Sequence, residues 1–79
     1  MTARVQVFGR KGCHLCADAL AIVSEVCGDE GVGYEVFDVD TNPELKARYA
    51  DEVPVVTVDG QVVGFWRVDA TAIRQALRA

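Results

Sequence analysis

The chain predicts an α/β fold, a mixed four-stranded sheet flanked by helices in the order β-α-β-α-β-β-α. Three observations predict it. A β-rich run ending in Val5-Gln6-Val7-Phe8 passes within a few residues into a helical pattern that opens on Cys13 and Cys16. Two later β-rich runs are joined by Asp59-Gly60, the strongest short hairpin signal. The chain then closes on an amphipathic helix with its own cap. Strands joined by a crossover helix lie parallel and those joined by a tight turn lie antiparallel, so the sheet is mixed. Residues 1–79 read as one domain with a small core; a chain of this size buries roughly 60–65% of its unfolded surface.

Arg4–Phe8 is the first strand, with Val5 and Val7 on one face. From Cys13 the apolar positions Cys16, Ala19, Leu20, Val23, Val26 and Cys27 trace one face of a helix. Gly28, Gly31 and Gly33, with Asp29 and Glu30 between them, end that helix and form a loop. Tyr34–Val39 is the second strand. Asn42 is placed to cap a short helix that begins at Pro43 and runs to Tyr49. Val53-Pro54 is extended, because a residue before proline avoids helical geometry. Val55–Val58 and Gln61–Phe65 form the hairpin. Asp69 caps the last helix, Ala70–Arg78, with Val68 and Ile73 spaced as a hydrophobic staple and Ile73, Ala76 and Leu77 facing the core.

Composition narrows the function. The formal charge is −4 and the 8 basic residues are dispersed, which argues against a nucleic-acid partner. No apolar run approaches the roughly 20 residues of a membrane-spanning helix. Met1-Thr2-Ala3-Arg4 leads into the first strand without an apolar leader, so no signal peptide is expected. The expected location is the reducing cytoplasm, where a cysteine pair is catalytic or metal-binding rather than a permanent staple. Arginine in excess of lysine, with many Ala, Val and Gly, fits a GC-rich bacterial genome.

Cys13-His14-Leu15-Cys16 carries the chemistry. A C-x-x-C at a strand–helix junction points to thiol–disulfide exchange. The thiolate is the nucleophile, and a helix N-terminus or a nearby cation stabilises it. Cys13 has both, with Arg10 and Lys11 just upstream. Cys16 shares a helical face with Cys13 and lies on the apolar stripe. Cys13 at the exposed tip is therefore the attacking thiol, and Cys16 resolves the mixed disulfide. His14 is either an exposed polar spacer or an imidazolium that tunes the potential of the couple. Cys27 lies about 16 Å along the helix from Cys16, beyond disulfide reach, and reads as a small buried apolar residue. Pro54 either starts a strand or, with a cis peptide bond, presents the Val53 backbone to an extended substrate. Its place between the second helix and third strand favours the latter.

On these residues the chain resembles the glutaredoxin branch of the thioredoxin superfamily. The likeness covers essentially the whole chain and is nearest the small bacterial glutaredoxin-like proteins with C-x-L-C. It implies a thioredoxin-like fold and a monomeric dithiol–disulfide oxidoreductase in cell redox homeostasis, without a bound cofactor. It implies Cys13 as nucleophile, Pro54 as the cis-proline beside it, and the Val53 backbone as partner to the peptide part of a thiol substrate. Arg10 stands where many glutaredoxins carry a lysine that contacts a glutathione carboxylate, and Asp69 would face a glutathione amine. The departures are His14-Leu15 for the usual Pro-Tyr, Glu52 for Thr in Thr-Val-Pro, and Phe65-Trp66-Arg67-Val68-Asp69 where Gly-Gly-x-Asp is usual. They open the choice of reductant to glutathione, another low-molecular-weight thiol such as mycothiol, or thioredoxin reductase, with a disulfide-bearing protein as substrate. The other class of reading is a metal-handling C-x-x-C module for soft metals or an iron–sulfur cluster. Small copper chaperones run β-α-β-β-α-β, an order this chain does not follow.

Overall fold

β1 (Val5–Gly9) occupies the middle of the sheet because it is apolar on both faces. Val5 and Val7 point to one side and Phe8 to the other, and all three are buried. The computed structural model describes residues 3–79; Met1 and Thr2, which the reading of the N-terminus includes, lie outside the described residues. β2 (Tyr34–Asp38) pairs parallel with β1, Val7 opposite Val36. β3 (Val55–Val58) pairs antiparallel on the other side, Phe8 opposite Val55, and β4 (Gln61–Phe65) completes the order β2-β1-β3-β4. The hairpin turns through Asp59 and Gly60 at φ 52° and 82°. Two left-handed residues are what a type I′ turn requires. The β3–β4 register steps between Val56–Gly64 and Thr57–Val62, which leaves Val63 as a bulge.

α1 (His14–Glu30) and α3 (Ala70–Arg78) cover one face of the sheet. Val23, Val26 and Cys27 from α1 meet Val5, Val7, Val56 and Val58 from the strands and Ile73 and Leu77 from α3. A 3₁₀ turn (Val39–Thr41) and α2 (Pro43–Tyr49) cover part of the other face around Phe8, Val39 and Val55. Phe8 stacks there on Phe37 at 5.2 Å and meets Tyr49 at 4.7 Å between ring centroids. Both expected caps form. Asn42 accepts from the N–H groups of Glu44 and Leu45, and Asp69 from that of Thr71.

The structure corrects four boundaries, one of them the end of β1, which runs on to Gly9 because Gly9 still pairs with Asp38 of β2. α1 runs through Gly28 to Glu30 and ends at Gly31, whose φ of 69° suits glycine. The extra turn is held from outside: Arg74 pairs with Asp29 at 2.9 Å and Arg78 with Glu30 at 2.9 Å. Val39 leaves β2 for the 3₁₀ turn, because the Asp38 side chain accepts the Asp40 N–H at 2.9 Å and curls the chain. β1 starts at Val5 rather than Arg4, whose guanidinium grips Asp59 through two bonds of 2.9 and 2.8 Å. No described helix is long and apolar enough to cross a membrane.

Candidate active site

Cys13 is the N-cap of α1. Its backbone is extended, and its Sγ accepts the Cys16 N–H at 3.1 Å. Oxygen usually fills this role. A sulfur filling it accepts most strongly as a thiolate, since a charged acceptor strengthens the bond. The partial positive end of the helix acts in the same direction, and the first turn of α1 carries no acidic residue to offset it. Both Cys13 and Cys16 are half-buried free thiols. Cys13 is thus less exposed than the sequence reading expects, because its sulfur folds back over the helix end to reach that N–H.

Cys16 sits deeper in function than in exposure. Burial, and then its hydrogen bond with Cys13, push its thiol up to about 11, while the Arg10 backbone N–H and the Arg10 charge pull the other way. Gly9 makes the room: a Cβ built there would lie 3.1 Å from Cys16 Sγ. From the sequence alone Gly9 has no such role. Its signal, a glycine ending a buried strand ahead of the motif, says nothing about which side chain approaches it. Cys27 is buried in the main core and raised by that burial, as the apolar reading of it expects.

Arg10, Lys11, Cys13 and Cys16 come together on one cavity of about 330 Å³ beside β2, walled by Leu20 and Val36. Arg10 Nη2 donates to Asp40 Oδ1 at 2.9 Å. Asp40 was not foreseen; it lies 30 residues from Arg10, and only the parallel β1–β2 pairing brings the two together. Pro54 follows from β3 at the same end of the sheet, since Val55 faces Phe8 and Gly9 comes next. The Val53–Pro54 bond is cis. His14 and Asp69 do not line the cavity: His14 is exposed on the first turn of α1, and the Asp69 carboxylate caps α3.

On another side, the exposed Leu15 from within the motif lines a shallow surface with Phe65, Trp66 and Arg67. Trp66 has φ 60°, unusual for so large a residue. Its backbone N–H donates to the Pro54 C=O at 2.9 Å and to the Glu52 C=O at 3.4 Å, and its indole N–H to the Asp51 C=O at 3.0 Å. The sequence reading noted these aromatics without giving them a place. Among the described residues no group of three or more His, Cys, Asp or Glu is positioned for a metal ion.

A paired thiol at a helix N-terminus, a cis-proline at the adjoining strand end and a β2-β1-β3-β4 sheet define a thioredoxin-type fold carrying a C-x-x-C site. Comparison with known proteins places it further. The family model described as Glutaredoxin-like domain (DUF836) matches residues 4–78, and the chain belongs to that family. It is 32% identical over 76 residues to an uncharacterized protein of Mycobacterium tuberculosis, covering 90% of this chain and 78% of that one. An X-ray structure of the protein XcR50 from X. campestris superposes with a TM-score of 0.76 at 24% identity, covering 94% of this chain and 95% of that one. A glutaredoxin from Archaeoglobus fulgidus gives a TM-score of 0.67 at 23% identity, covering 98% and 88%. At these identities the two structures share the fold. The fold and the cysteine pair are those of a thiol oxidoreductase in the general sense.

Proposed function

We propose that the protein is a dithiol–disulfide oxidoreductase, a glutaredoxin-like electron donor with Cys13 as nucleophile and Cys16 as resolving thiol. The observation that carries this reading is the Cys16 N–H donating to Cys13 Sγ at the start of α1. It supports the Cys13 sulfur as the attacking group and leaves Cys16, whose thiol is raised above the ordinary value, to finish the exchange. The substrate is a disulfide-bearing protein whose extended segment lies along the Val53 backbone at the β3 end. Leu15, Phe65 and Trp66 offer that partner an apolar surface beside the thiols. The reductant is a low-molecular-weight thiol such as glutathione or mycothiol, or thioredoxin reductase. Arg10 and Lys11 suit an anionic thiol; Arg10 is already engaged by Asp40, which makes it a weaker anion site than a free cation.

Intact mass across a series of glutathione redox buffers tests the reading. Loss of two hydrogens in one reversible step, mapped to Cys13 and Cys16, is the expected result. A glutathione adduct alongside would select glutathione as reductant, and its absence would select another donor. A protein with no reversible couple at all would overturn the oxidoreductase reading.

A further inference from the structure

Arg10 is placed unlike an ordinary surface cation. One end of its guanidinium is moored to Asp40 on the 3₁₀ turn, whose carboxylate also lies 3.9 Å from Lys46 Nζ. Its Nε is buried and has no hydrogen-bond partner among the described residues. A buried charged donor left unpaired is costly, and such exceptions call for a reason. The cavity gives one: Arg10 and Cys16 line the same open cavity, whose other walls include the apolar Val7, Ala17 and Leu20. The guanidinium, fixed by Asp40, thus borders the same cavity as the Cys16 sulfur, and a positive charge so placed favours an anion there over a neutral thiol, even when partly offset by its partner.

The charged and titratable groups around Cys16 can be named. Cys13 lies one turn away on α1, Arg10 and Lys11 come from the β1–α1 loop, and Asp38 comes from the end of β2. Asp38 is committed to the Asp40 N–H. Asp40 and Lys46 stand behind Arg10, and Lys46 is well exposed. Burial and Cys13 hold the proton on Cys16, and the Arg10 backbone N–H opposes them first, with the Arg10 charge adding to it. No carboxylate or imidazole among the described residues bonds to Cys16 to take that proton.

We propose that Arg10, held in place by Asp40, stabilises the Cys16 thiolate in the resolving step. This rests on the oxidoreductase reading above. The Cys13 thiolate first attacks a substrate disulfide, forming a mixed disulfide and releasing one substrate thiolate. Cys16 then gives its proton to water, and the resulting thiolate attacks Cys13 Sγ. The Cys13–Cys16 bond forms, the bond from Cys13 to the substrate sulfur breaks, and the second substrate thiolate leaves and takes a proton from water. Two electrons pass from the dithiol to the substrate disulfide. Arg10 supplies a fixed charge and exchanges no proton, so it is a positioning residue for the Cys16 anion.

The test reads Cys16 directly. In a Cys13→Ser background, where serine keeps the helix cap, iodoacetamide alkylation is followed against pH and assigned to Cys16 by peptide mass, since Cys27 is still present. Arg10→Gln keeps a polar contact for Asp40 and loses the charge. Alkylation at about pH 8 should slow about tenfold, and the whole rate profile should move to higher pH. Arg10→Lys should restore most of the rate, and Lys11→Gln should change it less than about twofold because the exposed Lys11 charge is screened. An Arg10→Gln profile that overlays the parent, or an equal effect from Lys11→Gln, overturns the assignment. Should Arg10→Gln fail to fold, Arg10→Met read the same way takes its place. The failures are separable: a wild-type protein without a reversible couple overturns the redox reading and this role with it, whereas a working couple with an unmoved Cys16 profile overturns the role of Arg10 alone.

Discussion

Replacing Gly9 by alanine puts one methyl group against the resolving sulfur, and its cost follows from the geometry. The new Cβ would lie 3.1 Å from Cys16 Sγ and 3.3 Å from Cys16 Cβ. Carbon contacts become favourable at about 3.5–4.0 Å, so both are compressed. Gly9 is a strand residue without a positive φ, so alanine there meets no backbone penalty. In strand geometry it would otherwise gain roughly 0.5–1 kcal/mol over glycine. Overpacking costs typically 1–3 kcal/mol, which exceeds that gain. The expected net loss in the reduced protein is about 1 kcal/mol, or about 4–8 °C in the midpoint for a domain of this size. Thermal melts under a non-thiol reductant measure it. Cys16→Ala identifies the cause, since without Sγ the major contact is gone and Gly9→Ala should become neutral or stabilising. A coupling of about 1 kcal/mol in that double-mutant cycle is expected. Equal destabilisation in both backgrounds would refute the argument, and so would a wild-type protein that gains stability from Gly9→Ala.

Three further outcomes are expected. Cys13→Ser abolishes disulfide reductase turnover, whereas Cys16→Ser accumulates a mixed disulfide on Cys13 visible by intact mass; reduction that survives loss of Cys13 would contradict the assigned roles. Asn42→Ala removes the acceptor for two N–H groups of α2 and should cost about 1 kcal/mol in chemical denaturation while leaving the redox couple in place. The reduced protein should lose stability as pH rises. The folded state raises Cys16 from 9.0 to about 11 and so binds the proton more tightly than the unfolded chain, which favours folding below about pH 9 and ceases to as pH passes 11. The disulfide form has no Cys16 proton to lose, and its melting midpoint should show less of this decline over the same range.

Much of the fold was legible because it rests on local rules. Asp59-Gly60 fixes its own turn, Asn42-Pro43 starts its own helix, and the β-rich runs Val55–Val58 and Gln61–Phe65 around that turn make the hairpin with only the Val63 bulge unforeseen. The same holds for Cys13 as the opening of α1 and for Pro54 at the strand end. What escaped was set by distant partners. Gly28 reads as a helix end, and it lies inside α1 because Arg74 and Arg78 hold the following Asp29 and Glu30 from across the core. The Asp40 mooring of Arg10, the seat that Gly9 gives Cys16, and the left-handed Trp66 each depend on packing between separate elements. A window of neighbouring residues contains none of them.

Trp66 is the single tryptophan of the chain, and it shares an exposed surface with Leu15 of the C-x-x-C motif, with 54% of its own surface open. The protein therefore carries a tryptophan reporter beside its cysteine motif and none in its core. Emission from Trp66 will follow whatever covers Leu15 and Phe65, or loosens the indole from Asp51, without an added label. It will be a poor gauge of the valine-rich core. A melt followed by fluorescence tracks the turn between β4 and α3, and its agreement with far-UV circular dichroism decides whether that turn lets go with the rest of the domain or before it.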